Sequence, residues 1–221
     1  MSIPAAIFDA HGTLFGVASA ARRAFAGDAA MAAVWPRLAE DWRRKQLEYS
    51  WLRAIMGQHA DFRSVTADAL DWALAAQGIA ADRARLMALY DTCEAFPEVP
   101  GVPADLRARG LPCAILSNGS PGMLASAVGA AGLDGAFAAV LSVEAAGVFK
   151  PDARVYALVP ARLGVAAADT LFVSSNGWDA AGAALFGFRT VCVNRTRAPP
   201  DRLPAAPDTV LTDLAALPSI L

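Results

Sequence analysis

Beyond residue 100 the chain alternates between short apolar runs and longer stretches with helical spacing. The runs are CAILSNG (113–119), AVLSVE (139–144), TLFVSSN (170–176) and TVCVN (190–194), and IPAAIFD (3–9) adds a fifth near the start. Near-continuous apolar strands separated by helices predict an α/β fold, a Rossmann-like parallel sheet covered on both faces. Several predicted strands end on polar residues: Asp9, Ser117 with Asn118, and Ser174 with Ser175 and Asn176. Ligands of open α/β sheets sit beyond the carboxyl ends of the strands, so these tips are expected to converge.

Residues 16–95 read differently, with helical patterns and no convincing strand. In PRLAEDWRRKQLEYSWLRAIMG, Pro36 suits a first helical position and Gly57 a stop. Leu38, Trp42, Tyr49, Leu52, Ile55 and Met56 recur every three to four residues as an apolar stripe. A second helix is expected from near Ser64 to Gly78. The division that follows is an α/β core of residues 1–15 and 96–221 and an inserted helical cap subdomain of residues 16–95.

Composition narrows the classes. The 221 residues are 56% hydrophobic and 18% charged, which suits one large packed interior and not a disordered chain. No apolar run of membrane-spanning length and no signal-peptide layout is seen, and a net charge of −2 offers no field for nucleic acid or membrane lipid. Three cysteines, Cys93, Cys113 and Cys192, show no metal or disulfide spacing, so a cytoplasmic compartment is expected. RAPPDRLPAAPD (197–208) reads as a proline-rich surface connection.

Four stretches could carry chemistry. In AAIFDAHGTLFGV (5–17) a buried strand would deliver the Asp9 carboxylate rigidly as a nucleophile, Gly12 would let the loop fold back, and Thr13 could bond a carboxylate oxygen. The plainer alternative is an aspartate capping a turn. LSNGS (116–120) could receive a small anion on Ser117, Asn118 and backbone N–H groups, or be an ordinary polar turn. VFKP (148–151) sets Lys150, a surface lysine or a cation holding Asp9 ionised, before a proline-started helix. FVSSNGWDAAGA (172–183) supplies Ser174, Asn176 and Asp179 around Trp178; Asp179 could pair with Lys150 and Asn176 could orient a water or the carboxylate.

Together these stretches resemble the haloacid dehalogenase superfamily over nearly the whole chain. Phosphatase members carry a second aspartate two residues after the nucleophile and an acidic Mg²⁺ ligand at the later strand; this chain has His11 and Ser175 there. Loss of that carboxylate weakens a hard-cation site. The remaining resemblance is to the L-2-haloacid dehalogenases, and it extends to WRRKQLEYSWLRAIM (42–56) in the cap. It implies that Asp9 displaces halogen from short 2-haloalkanoic acids, haloacetates included, and that water then hydrolyses the aspartyl ester to an inverted 2-hydroxy acid. No cofactor and no metal is implied. Thr13, Lys150, Ser174, Asn176 and Asp179 would align Asp9 and hydrolyse its ester. Ser117 and Asn118, with loop N–H groups such as that of Ala10, would take the substrate carboxylate. Arg43 would reach the departing halide, Tyr156 would join the polar shell, and Leu47, Phe62 and Trp178 would wall the substrate carbon. Read without the resemblance, Arg43 is an exposed cap-helix charge within RRK.

Two departures stand out: His11 replaces a usual tyrosine and Arg44 a common glutamine. Both fall where the resemblance puts the halogen pocket; they are either neutral changes or added hydrogen-bond donors suited to a small leaving group such as fluoride. His59 reads as a surface or capping residue. The resemblance also implies a homodimer, for which Trp51 and Trp72 offer apolar cap surface. A Mg²⁺-dependent phosphatase or phosphonatase and a non-catalytic binding protein are the competing readings.

Overall fold

The computed structural model describes residues 5–221, so the first two residues of the expected opening strand lie outside the described residues. The strands are β1 (Ala5–Phe8), β2 (Phe15–Gly16), β3 (Glu94–Ala95), β4 (Cys113–Ser117), β5 (Ala139–Ser142), β6 (Thr170–Ser174), β7 (Arg189–Val193) and β8 (Thr209–Leu211). Six of them form one sheet in the order β5-β4-β1-β6-β7-β8, with every pair parallel. Successive side chains of a strand point to opposite faces. Ile7, Leu116 and Phe172 accordingly join the core that contains Phe149 and Tyr156, whereas Phe8, Ile115 and Val173 join the one that contains Leu106 and Leu124. The helices covering the sheet are α5 (Val102–Ala108), α6 (Pro121–Ala130), α7 (Ala153–Tyr156), α8 (Leu158–Leu163) and α9 (Gly177–Phe186).

Register decides where the site lies. Phe8 pairs with Ile115 on one side and Val173 on the other, so Asp9 leaves β1 level with the ends of β4 and β6. The chain runs from β1 to β4 and β5 on one side and then crosses to β6 on the other, and this switch opens a crevice at the sheet's carboxyl edge.

Between β1 and β4 the chain forms α1 (Val17–Ala24), α2 (Ala29–Met56), α3 (Phe62–Gln77) and α4 (Arg83–Asp91). Two expectations are corrected here. The region does contain strand residues: β2 and β3 pair antiparallel, Phe15 with Ala95 and Gly16 with Glu94, and tie together the two crossings into the helical layer. Two-residue strands are too short to show a period. Helix α2 also starts two turns before Pro36, where the Asp28 side chain caps the Met31 N–H at 3.0 Å. The alanine-rich turns ahead of the proline are strong helix formers, and Trp35, packed 5.4 Å from Phe25, anchors them. Gly57 ends α2 and Gly78 ends α3, both left-handed as expected. The apolar stripe of α2 splits: Leu38 and Trp42 are buried, whereas Leu52, Ile55 and Met56 are exposed.

The sequence reading also passed over β8, whose three residues follow the exposed proline-rich connection. The three cysteines are free and buried.

Candidate active site

Asp9 follows a fully buried strand and is itself 6% exposed. The Ala10 carbonyl accepts the N–H groups of Thr13, Leu14 and Phe15, which folds the chain back beneath the carboxylate. Gly12 allows that turn at φ +89°, and a Cβ there would lie 2.9 Å from the Ser175 Oγ. Asp9 Oδ1 accepts from Lys150 Nζ at 3.2 Å. Its Oδ2 accepts from Thr13 Oγ1 at 3.1 Å and from Asn176 Nδ2 at 3.0 Å.

Lys150 is 1% exposed and also donates to Asp179 at 2.8 Å. It is no surface lysine. Burial opposes its charge, but the carboxylates of Asp179 and Asp9 outweigh burial and hold its pKa above the usual lysine range. Tyr156 Oη donates to the other Asp179 oxygen at 2.8 Å; burial, reinforced by that carboxylate, raises the phenol's pKa and keeps it a donor. The proline after Lys150 precedes the helix instead of starting it: α7 begins at Ala153, capped by Asp152.

Ser174 makes no hydrogen bond to Asp9. Its Oγ accepts the Asn176 N–H at 3.2 Å and so positions that residue. The hydroxyl that joins the Asp9 network is the neighbouring Ser175, 3.2 Å from Thr13 Oγ1, while its N–H donates to the same oxygen at 2.8 Å. Ser117 Oγ accepts from the Gly119 N–H at 3.1 Å, and Asn118 Oδ1 accepts from the Lys150 N–H at 3.0 Å. Both side chains are buried at the sheet edge beside the start of α6.

Arg43 spans the helical layer and the sheet: Nη2 donates to Asn176 Oδ1 at 3.1 Å and Nη1 to Gln46 Oε1 at 2.7 Å. The first bond orients the asparagine, since its oxygen faces the guanidinium and its NH₂ faces Asp9. Arg44 does not line the pocket. It is exposed, paired with Asp41 at 2.9 Å and Glu48 at 3.6 Å, and lies over the Trp72 ring. Adjacent helix positions differ by about 100°, so two consecutive arginines cannot face the same site.

A cavity of about 240 Å³ adjoins Arg43 and Asn176, with His11, Trp35, Trp42 and Tyr90 among its walls. Leu47, Phe62 and Trp178 lie outside that lining. Leu47 is half-buried one turn beyond Arg43, Phe62 packs 6.0 Å from Phe149, and Trp178 packs edge-on against Trp51 at 5.4 Å. The His11 Nε2 is sealed without a hydrogen-bond partner. Burial is the main reason its pKa falls to about 4, with Arg43 adding to it and Asp9 opposing.

Several participants escaped the sequence reading. Gln46 stands three residues after Arg43, a spacing that helical periodicity could have flagged. Arg195 donates to the Thr13 carbonyl at 2.8 Å across 182 positions of chain, for which no local signal exists. His59, read as a surface or capping residue, is half-buried: its Nε2 lies 2.7 Å from Glu144, and its ring sits 4.7 Å from Phe149.

The model of a hydrolase family, haloacid dehalogenase-like hydrolase, matches residues 3–187. The (S)-2-haloacid dehalogenase 1 of Pseudomonas sp. (strain CBS-3) is 40% identical over 222 residues, covering 99% of this chain and 96% of that protein. A crystal structure of an L-2-haloacid dehalogenase superposes with a TM-score of 0.93 at 42% identity, covering 100% of this chain and 99% of the other. The Xanthobacter autotrophicus L-2-haloacid dehalogenase with chloropropionic acid covalently bound superposes with a TM-score of 0.88 at 40% identity, over 99% and 98% of the two chains. A buried aspartate at the central strand tip, held by a lysine and an asparagine, thus occurs in a chain that belongs to the haloacid dehalogenase-like hydrolases, among the (S)-2-haloacid dehalogenases.

Proposed function

We propose that the protein hydrolyses the carbon–halogen bond of short (S)-2-haloalkanoic acids, with Asp9 as the nucleophile. The observation that carries this reading is the holding of Asp9: both carboxylate oxygens are engaged by Lys150, Thr13 and Asn176, on a rigid strand end shielded from water. A desolvated carboxylate with a fixed direction of attack suits displacement at an sp³ carbon. One Asp9 oxygen forms a bond to C2 as the carbon–halogen bond breaks on the opposite side, inverting that centre. Arg43 meets the charge that develops on the halide. Ser117, Asn118 and neighbouring N–H groups take the substrate carboxylate. Water then adds to Asp9 Cγ, the bond from Cγ to the substrate oxygen breaks as that oxygen takes one of the water's protons, the second proton passes to solvent, and the 2-hydroxy acid leaves the regenerated Asp9 carboxylate. Lys150, Asp179, Tyr156, Ser174 and Asn176 keep the ester carbonyl in place for that step.

The relatives' name supports this reading over a phosphatase, and so does Ser175, a hydroxyl bonded to Thr13 where phosphatases have a carboxylate ligand. Chloride release from (S)-2-chloropropionate is the test. Asp9→Asn is expected to lower it by at least about a thousandfold. In a single turnover in heavy-oxygen water, the label should enter Asp9 before any product. Label entering the product directly would overturn the proposal, as would phosphatase activity sensitive to EDTA in place of halide release.

The helices of residues 17–91 act in this reading as a cap that closes over the sheet edge. The exposed Leu52, Ile55 and Met56 on α2 support a homodimer through that cap. Trp72 is exposed there as well, beside Lys45 at 4.4 Å, whereas Trp51 is half-buried against Trp178. Among the described residues no helix is long and apolar enough to cross a membrane. The free cysteines support a reducing, cytoplasmic setting.

A further inference from the structure

Gln46 lies within one turn of Arg43 on α2 and is fully buried. Its Oε1 accepts from Arg43 Nη1 at 2.7 Å, and its Nε2 lies 2.7 Å from Thr66 Oγ1 and 3.1 Å from Tyr90 Oη. The neighbours dictate which way this amide points. The Thr66 hydroxyl donates to the Phe62 carbonyl at 2.7 Å, so its single proton is committed and it can only accept from Gln46. The NH₂ of Gln46 therefore faces Thr66 and Tyr90, and its oxygen faces the guanidinium. The reverse orientation would set donor against donor at the guanidinium and acceptor against acceptor at Thr66.

On its other side Arg43 is again the donor. Arg43 Nη2 donates to Asn176 Oδ1, and Asn176 Nδ2 donates to Asp9 Oδ2. Two runs of donated hydrogen bonds thus diverge from Arg43, one through Gln46 and Thr66 to the backbone of α3, the other through Asn176 to the carboxylate of Asp9. The guanidinium is clamped between one acceptor on each side of the crevice. Without the Gln46 oxygen, Arg43 would keep only Asn176 and regain side-chain freedom. A cation contributes most to a transition state when it is already in place.

The geometry points to Gln46 as a positioning residue for this reaction: its buried amide aims the Arg43 guanidinium at the departing halide. The inference rests on the dehalogenase reading above. Its signature is a leaving-group dependence, because a poorer leaving group needs the cation more.

The test compares single-turnover halide release from (S)-2-chloropropionate and (S)-2-bromopropionate. Gln46→Met preserves side-chain length but offers no comparable acceptor. It is expected to slow chloride release by about 10- to 100-fold and bromide release at least about threefold less, so that the bromide-to-chloride ratio rises. Substrate KM should stay within about threefold of wild type. In an Arg43→Lys background the same substitution should add less than about twofold, since the group it positions is gone. Thr66→Val, which removes the acceptor behind the amide, should shift the ratio in the same direction by less. It decides the matter by the same two criteria if Gln46→Met fails to fold. Equal losses for both halides, or full additivity with Arg43→Lys, would overturn the role of Gln46 while leaving the dehalogenase reading intact. An unaltered chain that releases neither halide would overturn that reading and this inference with it.

Discussion

Lys150 is the residue on which the charge balance of the site turns. It is a single buried ammonium between two carboxylates, 3.2 Å from Asp9 and 2.8 Å from Asp179. Removing one partner of a buried ion pair strands the others without water, at a typical cost of about 3–5 kcal/mol. Lys150→Met should therefore lower unfolding stability by about that amount in urea titrations, as well as abolishing halide release. His11 makes the fold's stability depend on pH. Its ring titrates at about 4 when folded, against about 6.5 in an unfolded chain. Between those values the unfolded state binds more protons, so the stability that neutral His11 allows is complete above pH 6.5 and is lost as pH falls toward 4. For this partly shielded residue the loss should be on the order of 2 kcal/mol, and His11→Gln should flatten that part of the stability–pH curve. Of the two positions that could add donors toward a small halide, only His11 faces the cavity, because Arg44 faces solvent.

At the scale of elements, close approach between α9 and α7 holds the polar shell in place. A Cβ on Gly182 of α9 would come within 2.7 Å of Tyr156 Oη and 2.6 Å of Pro151 Cβ. Gly182→Ala should destabilise the fold by about 1–3 kcal/mol and pull Tyr156 from Asp179, lowering the rate of ester hydrolysis. Gly57→Ala is the contrast. Its φ of +66° penalises a side chain by about 1 kcal/mol, but nothing lies within 4 Å of the added carbon, so turnover should be unchanged. Thermal unfolding beside burst and steady-state kinetics separates the two. The long helix α2 shows how one element serves two purposes: its middle carries Arg43 and Gln46 inward, and its last turns leave Ile55 and Met56 in water.

Across the whole molecule, Glu144 fastens the helical layer to the sheet. One carboxylate oxygen meets His59 Nε2 at 2.7 Å and the other accepts the Phe62 N–H at 3.0 Å, at the start of α3. Glu144→Ala should raise hydrogen exchange in the first turn of α3 and cost about 1–3 kcal/mol, without altering the halide ranking. If the exposed end of α2 forms a dimer contact, Ile55→Asp should shift the sedimentation coefficient to that of a monomer.

Much of this protein follows from local pattern. Asp9, Ser117, Ser174 and Asn176 could be placed at one sheet edge because apolar runs of strand length ended on them, and a parallel sheet aligns such ends. Gly57 and Gly78 marked their helix ends because a left-handed stop is a property of one residue and its immediate neighbours. Other features depend on partners remote in sequence, and only packing could decide them. Ser175, not Ser174, bonds Thr13; Arg195 fastens the nucleophile loop; and His59 meets Glu144. The orientation of the Asn176 and Gln46 amides also required the folded network, because an amide shows which end is its oxygen only through the groups it faces. The composition of a stretch determines its backbone period. A hydrogen bond across 133 residues, such as that from Arg43 to Asn176, leaves no period behind.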